Sequence, residues 1–171
     1  MEREEPIANS GAQLTSAPEV GPRLLFFSGG TALNSLAAEL KQHTHNSIHL
    51  VTPFDSGGSS AALRAAFNMP AVGDLRSRMM ALADDSCGGH SELYRLMTYR
   101  LPQDLGQEQL RLQLEQISQA ADVLSNSLEQ PLQGLICHYL KSFLREAPEE
   151  FDYRGASLGN LVLTGGYLQD G

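Results

Sequence analysis

The sequence is short of positive charge: it has 12 Lys and Arg residues against 20 Asp and Glu residues, for a formal net charge of -8 over 171 residues. General nucleic-acid binding requires cations that displace counterions from phosphates, so this composition disfavours it. Long hydrophobic runs are also missing. No run approaches the ~18 apolar residues that cross a bilayer, and the acidic start lacks the apolar segment of a signal peptide. We therefore expect a cytoplasmic protein that makes no contact with a membrane.

Cysteine is scarce as well. Cys87 and Cys137 are the only two, and they lie far apart in the chain. Two distant cysteines provide no disulfide framework and fit a reducing compartment. The histidines and cysteines also lack the C-x-x-C and H-E-x-x-H spacings of zinc sites. We expect no zinc, haem or disulfide.

The sequence does contain a β-α-β pattern near its start. Residues 1–22 are polar and have no apolar period, so we expect a mobile tail. The apolar run 24–27, ended by Ser-Gly-Gly, predicts a strand buried on both faces, and the spacing over 31–42 predicts a helix. Residues 48–52 predict a second strand. Such a unit implies parallel strands joined by a right-handed crossover, and hence an α/β fold.

Helical periodicity dominates the rest of the chain. We expect helices over 61–67, 74–83 and about 93–101, a helical hairpin over 106–146 that turns at Pro131, and a buried helix within 155–168. Only two strands can be identified, and a doubly wound sheet normally needs four or more to cover its helices. We therefore expect residues 23–171 to be the N-terminal part of a longer domain, with an apolar patch near Leu50 and Val51 that promotes self-association.

A first candidate site is the loop Ser28-Gly29-Gly30-Thr31 between the first strand and the first helix. Unpaired N–H groups and the positive end of the helix dipole attract anions there, and glycine allows a phosphate to approach closely. A tight turn without a ligand explains the same residues, because they match neither the G-x-G-x-x-G nor the P-loop pattern.

A second candidate is the loop Asp55-Ser56-Gly57-Gly58-Ser59-Ser60, with Arg64 one helical turn further on. A carboxylate, hydroxyls and a guanidinium can together hold a sugar hydroxyl or a metal ion beside a phosphate. A flexible surface loop has the same composition. The position favours function, since open parallel sheets bind ligands at the carboxyl ends of their strands.

A third candidate is Gly73-Asp74-Leu75-Arg76, followed by Arg78. Asp74 stands where a helix N-cap would stand, so capping is one interpretation. Arg76 and Arg78 come early in the same helix, where cations oppose the dipole, and this favours an anion nearby.

Together with Leu158-Gly159-Asn160-Leu161, these loops resemble the superfamily of 2-phospho-L-lactate transferases (CofD-like) and gluconeogenesis factors (YvcK-like). The resemblance covers about 23–166, and the Asp-Ser-Gly-Gly-Ser-Ser and Gly-Asp-Leu-Arg strings are closer to the gluconeogenesis factors. It implies a Rossmann-like parallel sheet, here with the helical hairpin inserted, whose loops bind a nucleotide or nucleotide conjugate.

The resemblance leaves two functions open. On the transferase branch it implies transfer of a phospholactyl-type group from a guanosine diphosphate carrier to a deazaflavin, with Mg²⁺. On the other branch it implies UDP-sugar binding in the regulation of cell-wall and carbon metabolism. In both cases the partner is a small molecule.

The resemblance also assigns residues to roles. It implies catalytic roles for Asp55 and Asp74, with Asp55 also a magnesium ligand. The ligand-binding residues that it implies are Gly29, Gly30, Thr31, Ser56, Gly57, Gly58, Ser59, Arg64, Gly73, Arg76 and Asn160.

Overall fold

The computed structural model describes residues 17–55 and 57–171, and these residues form an α/β fold, which confirms the expected class. Two strands and eight α-helices follow one another as β1 (Leu24–Ser28), α1 (Asn34–Leu40), β2 (Ser47–Val51), α2 (Gly58–Phe67), α3 (Gly73–Leu82), α4 (His90–Thr98), α5 (Gln107–Ser118), α6 (Val123–Asn126), α7 (Leu132–Glu146) and α8 (Leu158–Asp170). Among these residues, no helix is long and apolar enough to cross a membrane.

β1 and β2 form a parallel two-stranded sheet in which Leu25 lies opposite Ile48 and Phe27 opposite Leu50. These four side chains occupy one face, and all are exposed, from 47% for Ile48 to 81% for Phe27. The expectation that β1 is buried on both faces was wrong, because helices cover only one face of the sheet. The expected apolar patch is present and comprises both strands.

The segment that precedes β1 is attached to the sheet. Pro18–Val20 form a 3-10 helix, and the carbonyl of Pro18 accepts a hydrogen bond from the backbone N–H of His45 at 2.8 Å. The hydroxyl of Thr44 donates to the carbonyl of Pro22 at 2.7 Å. Residues 17–22 of the expected tail are thus bound to the residues just before β2, and residues 1–16 lie outside the described part of the chain.

The helices around the sheet differ from expectation in their bounds. The expected helix over 31–42 is shorter at both ends. It begins only at Asn34, because Gly30 takes a positive φ of 57° and residues 31–33 form a turn, and it ends at Leu40. α2 and α4 each begin three residues earlier than expected, at Gly58 and His90.

α3 lies with an unexpected face toward the protein. Its apolar residues Leu75 and Met79 are 41% and 47% exposed, whereas Gly73 and Arg78 are buried. The apolar spacing that predicted a helix here therefore identified the element but not its buried side.

The helical hairpin forms with an interrupted first arm. α5 packs against α7, but the single helix expected up to Pro131 ends at Ser118. Ala120 adopts the left-handed region with φ 58°, and Asp122 begins α6 as a true N-cap, its Oδ1 accepting from Leu124 N at 2.8 Å. A left-handed alanine has no signature in the sequence, which is why periodicity did not reveal the break.

The hydrophobic core lies among the helices rather than at the sheet. α8 contacts α2, α3, α4 and α7. Its first turn is fixed to the end of α4, since Leu158 N donates to Tyr99 O and Leu101 N donates to Ala156 O, both at 2.9 Å. The fully buried core side chains are Leu63, Leu96, Leu101, Leu110, Leu114, Ile117, Leu140, Phe143, Leu158 and Leu161. The core thereby holds the start of α8 next to the loops that follow the strands.

Candidate functional site

The glycine turn after β1, residues 29–33, is held by a carboxylate. Gly30 N donates a 2.9 Å hydrogen bond to Asp74 Oδ2, across 44 residues of sequence. The φ of 57° at Gly30 lies in the region that favours glycine. The turn also packs closely on the segment after β2, because a Cβ on Gly29 would lie 3.1 Å from Thr52 Cγ2. Thr31 is exposed beside it.

Asp74 does not cap α3, so the capping interpretation was wrong. The helix begins at Gly73, the N-cap position is Val72, and no side chain caps the first turn. Asp74 lies within the helix and extends toward Gly30 instead. An aspartate that accepts from a glycine turn occupies the position that a phosphate oxygen would take in a simple anion site.

Asp55 lies beside the start of α3. Its Oδ1 accepts from Gly57 N at 2.9 Å, and its Oδ2 lies so close to Gly73 that an added Cβ would come within 2.7 Å. The same Cβ would collide with the Ser60 hydroxyl. Glycine is therefore required at position 73 to admit the side chains of Asp55 and Ser60. Asp55 thus lies against the residue directly before Asp74, which contacts the glycine turn.

Ser59, Arg76 and Asn160 form a second part of the site, in which Asn160 is buried and the other two are half-buried. Ser59 Oγ accepts from Asn160 Nδ2 at 3.2 Å and from Ser157 N at 3.4 Å. Arg76 Nη1 donates to the Ser157 hydroxyl and to the carbonyl of Met97, the latter at 3.0 Å. Burial, and secondarily the charge of Arg100, lowers the pKa of the Arg76 guanidinium.

This cluster connects α2, α3, α4 and α8. Asn160 is 3% exposed, and its Oδ1 is buried without a hydrogen-bond partner in the described residues. A Cβ on Gly159 would lie 2.8 Å from Arg76 Cδ and would collide with the carbonyl of Met97. The Gly-Asn pair therefore allows α8 to approach α3 and α4 while its amide contacts Ser59.

The remaining candidate residues are less closely gathered. Gly57 and Gly58 are exposed at the start of α2. Arg64 lies in the last turn of that helix, about 9 Å along the axis from Gly58, because the helix begins earlier than expected. No hydrogen bond or ion pair joins Arg64 to another residue of the described ranges. Ser56 lies outside those ranges.

Ser157 has a contact in the site that the sequence analysis did not foresee, although it directly precedes the Leu158-Gly159-Asn160-Leu161 motif. Ser60 and Arg78 were named only as members of candidate motifs, and Arg78 was expected to face an anion. Arg78 is 3% exposed and donates from Nη1 to the carbonyl of Leu33 at 2.9 Å. Its burial has no signal in the sequence, since arginines are mostly exposed.

The carboxyl ends of β1 and β2 border an open cleft of about 380 Å³, lined by Phe27, Ser28, Gly29, Leu50, Val51 and Thr52. A larger cavity of about 600 Å³ lies elsewhere, between the end of α1 and the residues that follow α3, and is lined by Lys41, His45 and Asp84 among others. We place the candidate site beside the smaller cleft, because Gly29 of the glycine turn lines it and Asp74 accepts from the same turn.

The family described as 2-phospho-L-lactate transferase CofD matches residues 24–170. A Saccharomyces cerevisiae protein, YNL011C, is 29% identical over 149 residues, which are 82% of this chain and 32% of that protein. The gluconeogenesis factor of Bacillus subtilis is 40% identical over 63 residues, which are 37% of this chain and 20% of that protein. No solved structure gives a significant match.

The glycine turn, the two aspartates and the α/β fold thus belong to a CofD-type chain. More specifically, the chain is a member of the CofD family, with relatives among the gluconeogenesis factors. It spans about a third or less of the length of these curated relatives.

Proposed function

We propose that the ends of β1 and β2 bind the diphosphate of a nucleotide conjugate together with a magnesium ion held by Asp55 and Asp74. The observation that carries this proposal is that the Asp55 carboxylate lies against Gly73, the residue directly before Asp74, and that the Asp74 carboxylate accepts from the exposed glycine turn. Mg²⁺ is typically bound by one or two carboxylates together with substrate phosphates.

The donor set fits such an ion. Asp55 and Asp74 each use one oxygen to accept a backbone N–H, from Gly57 and Gly30 respectively. Their other oxygens form no hydrogen bond with the described residues and are available to a cation. No group of three or more His, Cys, Asp and Glu residues could hold a metal within the described ranges, so phosphate oxygens would complete the coordination. Magnesium would neutralise the phosphate charge that two aspartates alone would repel.

Two activities share this ligand class. The name of the matching family, 2-phospho-L-lactate transferase, favours group transfer. The resemblance noted in the sequence implies a guanosine diphosphate conjugate as the donor, with Asp55 and Asp74 next to the reacting phosphate. The name of the Bacillus relative, gluconeogenesis factor, favours a regulatory protein. For that branch the resemblance implies binding of a UDP-sugar without turnover. The base of the preferred nucleotide and the presence or absence of turnover distinguish the two.

Calorimetry with GDP, UDP, a UDP-sugar, guanosine and uridine, with and without Mg²⁺, tests the proposal. We expect magnesium-dependent binding of the diphosphates and none of the nucleosides. Asp55→Asn should weaken diphosphate binding roughly tenfold or more, since it removes a charged metal ligand. Equal binding of nucleosides and diphosphates, or binding that is insensitive to magnesium, would contradict the proposal.

Asp84→Asn is the matched control. Asp84 also accepts from a backbone N–H two residues further on, Ser86 N at 2.9 Å, as Asp55 does from Gly57. Asp84 lines the larger cavity, which lies away from the carboxyl ends of the strands. Asp84→Asn should therefore show any general effect on stability of weakening such a carboxylate-to-backbone hydrogen bond, and it should leave nucleotide affinity unchanged.

A further inference from the structure

Arg78 is a buried cation beneath the glycine turn. It is 3% exposed, and its Nη1 donates to the carbonyl of Leu33, the residue immediately before α1. Its Nε is buried and has no hydrogen-bond partner in the described residues. The guanidinium thus makes a single hydrogen bond to the main chain, and its Nε has given up water without gaining a partner among the described residues.

No ion pair balances this charge within residues 17–55 and 57–171. The only acidic residue of α3 is Asp74, and its Oδ2 accepts from Gly30. A buried guanidinium without a paired carboxylate is costly, and an apolar side chain would fill the position at lower cost. Stability alone is therefore a poor reason for an arginine at this position.

The position of Arg78 in α3 indicates its role. Asp74 and Arg78 are four residues apart, so they lie on one face of the helix. Asp74 accepts from the N–H of Gly30 near the start of the glycine turn, while Arg78 donates to the carbonyl of Leu33 at its end. One helix face thus fixes the turn by a donor at one end and an acceptor at the other.

We propose that Arg78 is a positioning residue, which locks residues 29–33 against α3 so that Gly30 and Asp74 are held in register for a bound phosphate. The role in phosphate binding rests on the proposed function, whereas the attachment of residues 29–33 to α3 does not depend on it. Without Arg78, the end of the turn at Leu33 is free to move away from α3. The hydrogen bond between Gly30 and Asp74 must then hold the turn without the bond from Arg78 to Leu33.

The chain contains a matched control for this contact. Lys41, at the other end of α1, donates to the carbonyl of Ala83 at 2.9 Å and pairs with Asp85 at 3.1 Å. Lys41 and Arg78 are therefore both cations that join the α1 and α3 segments through a main-chain carbonyl. Only Arg78 does so at the glycine turn.

The experiment compares Arg78→Met, Arg78→Lys and Lys41→Met by amide hydrogen exchange and by titration with UDP and GDP in the presence of Mg²⁺. In Arg78→Met we expect the amides of Gly30 and Asn34 to exchange roughly tenfold faster relative to those of α7 and α8, and diphosphate affinity to fall by a similar factor. Arg78→Lys, which keeps a donor and the charge, should recover part of both losses. Lys41→Met should alter neither.

The two parts of the inference fail separately. If Arg78→Met changes exchange at Gly30 no more than Lys41→Met does, or accelerates all amides equally, Arg78 does not position the turn. If Gly30 exchange responds as expected but the unmodified protein binds neither diphosphate, the positioning role stands and the proposed ligand is wrong. If Arg78→Met proves unfolded, Arg78→Lys takes its place in the comparison. Exchange at Gly30 that is no faster in Arg78→Lys than in Lys41→Met would then show that Arg78 does not position the turn.

Discussion

The contact between α7 and α8 offers a sharp test of the structure through the adjacent glycines 165 and 166. A Cβ on Gly165 would lie 2.6 Å from the carbonyl carbon of Tyr139 and would overlap its oxygen. A Cβ on Gly166 would instead lie 3.2 to 3.4 Å from atoms of the Tyr139 ring. The main chain of α7 cannot rotate away, but the ring can, so the same substitution should act differently at neighbouring positions.

The magnitudes follow from packing and helix propensity. Overpacking costs about 1 to 3 kcal/mol, and an overlap with main chain belongs at the upper end of that range. Replacing glycine by alanine within a helix returns about 1 kcal/mol. We expect Gly165→Ala to lower the free energy of unfolding by about 2 kcal/mol, or the melting temperature by about 4 to 8 °C. Gly166→Ala should leave stability unchanged or raise it by up to about 1 kcal/mol.

Urea denaturation followed by circular dichroism measures both variants under the same conditions. Because the two substitutions are chemically identical, effects on the unfolded chain largely cancel in the comparison. Equal stabilities for the two variants, or a more stable Gly165→Ala, would show that α8 does not approach α7 as closely as the structure has it.

Two further predictions concern the sheet. Burial, and secondarily the charge of Arg78, lowers the pKa of His49 in the folded protein. The unfolded chain then binds a proton at this histidine more readily than the folded protein does. We therefore expect the free energy of unfolding to decrease as the pH falls through about 6.5, where an unperturbed histidine titrates. His49→Gln should flatten this dependence between about pH 7.5 and 5.5. An unchanged pH profile in that variant would exclude His49 as the cause. The second prediction concerns the exposed face of the sheet, where the Phe27 side chain is 81% exposed and that of Leu50 is 50% exposed. We expect this face to cause self-association that sedimentation detects, and the double variant Phe27→Ser, Leu50→Thr to reduce it. A monomeric unmodified chain that binds no hydrophobic dye would contradict this.

The local elements of the fold could be predicted because their signals are local. The apolar run before Ser28 predicted β1, the helical spacing after it predicted α1, and the apolar residues of 48–52 predicted β2, since strand and helix periods differ. The break between α5 and α6 could not be predicted from periodicity, because apolar spacing continues across it. Asp122 was its only available signal, and an aspartate within a helical pattern is not distinctive.

In the candidate site too, features that depend on neighbouring residues could be predicted, whereas contacts between distant parts of the chain could not. The glycine turn and Asp55 could be identified because glycine, serine and aspartate after a strand have a recognisable composition. The contacts of Asp74 could not: a sequence does not distinguish an N-cap from a carboxylate that extends to a turn 44 residues away. Asn160 was identified through its motif, but its contact with Ser59 spans 101 residues.

The sequence by itself determined the α/β class, the order of the main elements and the loops that carry chemistry, because each depends on neighbours within a few residues. The tertiary structure alone decided which face of α3 is buried, and with it the placement of Asp74 and Arg78 against the glycine turn. The physical reason is that the rotation of a helix about its axis is set by what packs on it. In α3 the exposed Leu75 and Met79 and the buried Arg78 reverse the orientation that hydrophobicity alone would select.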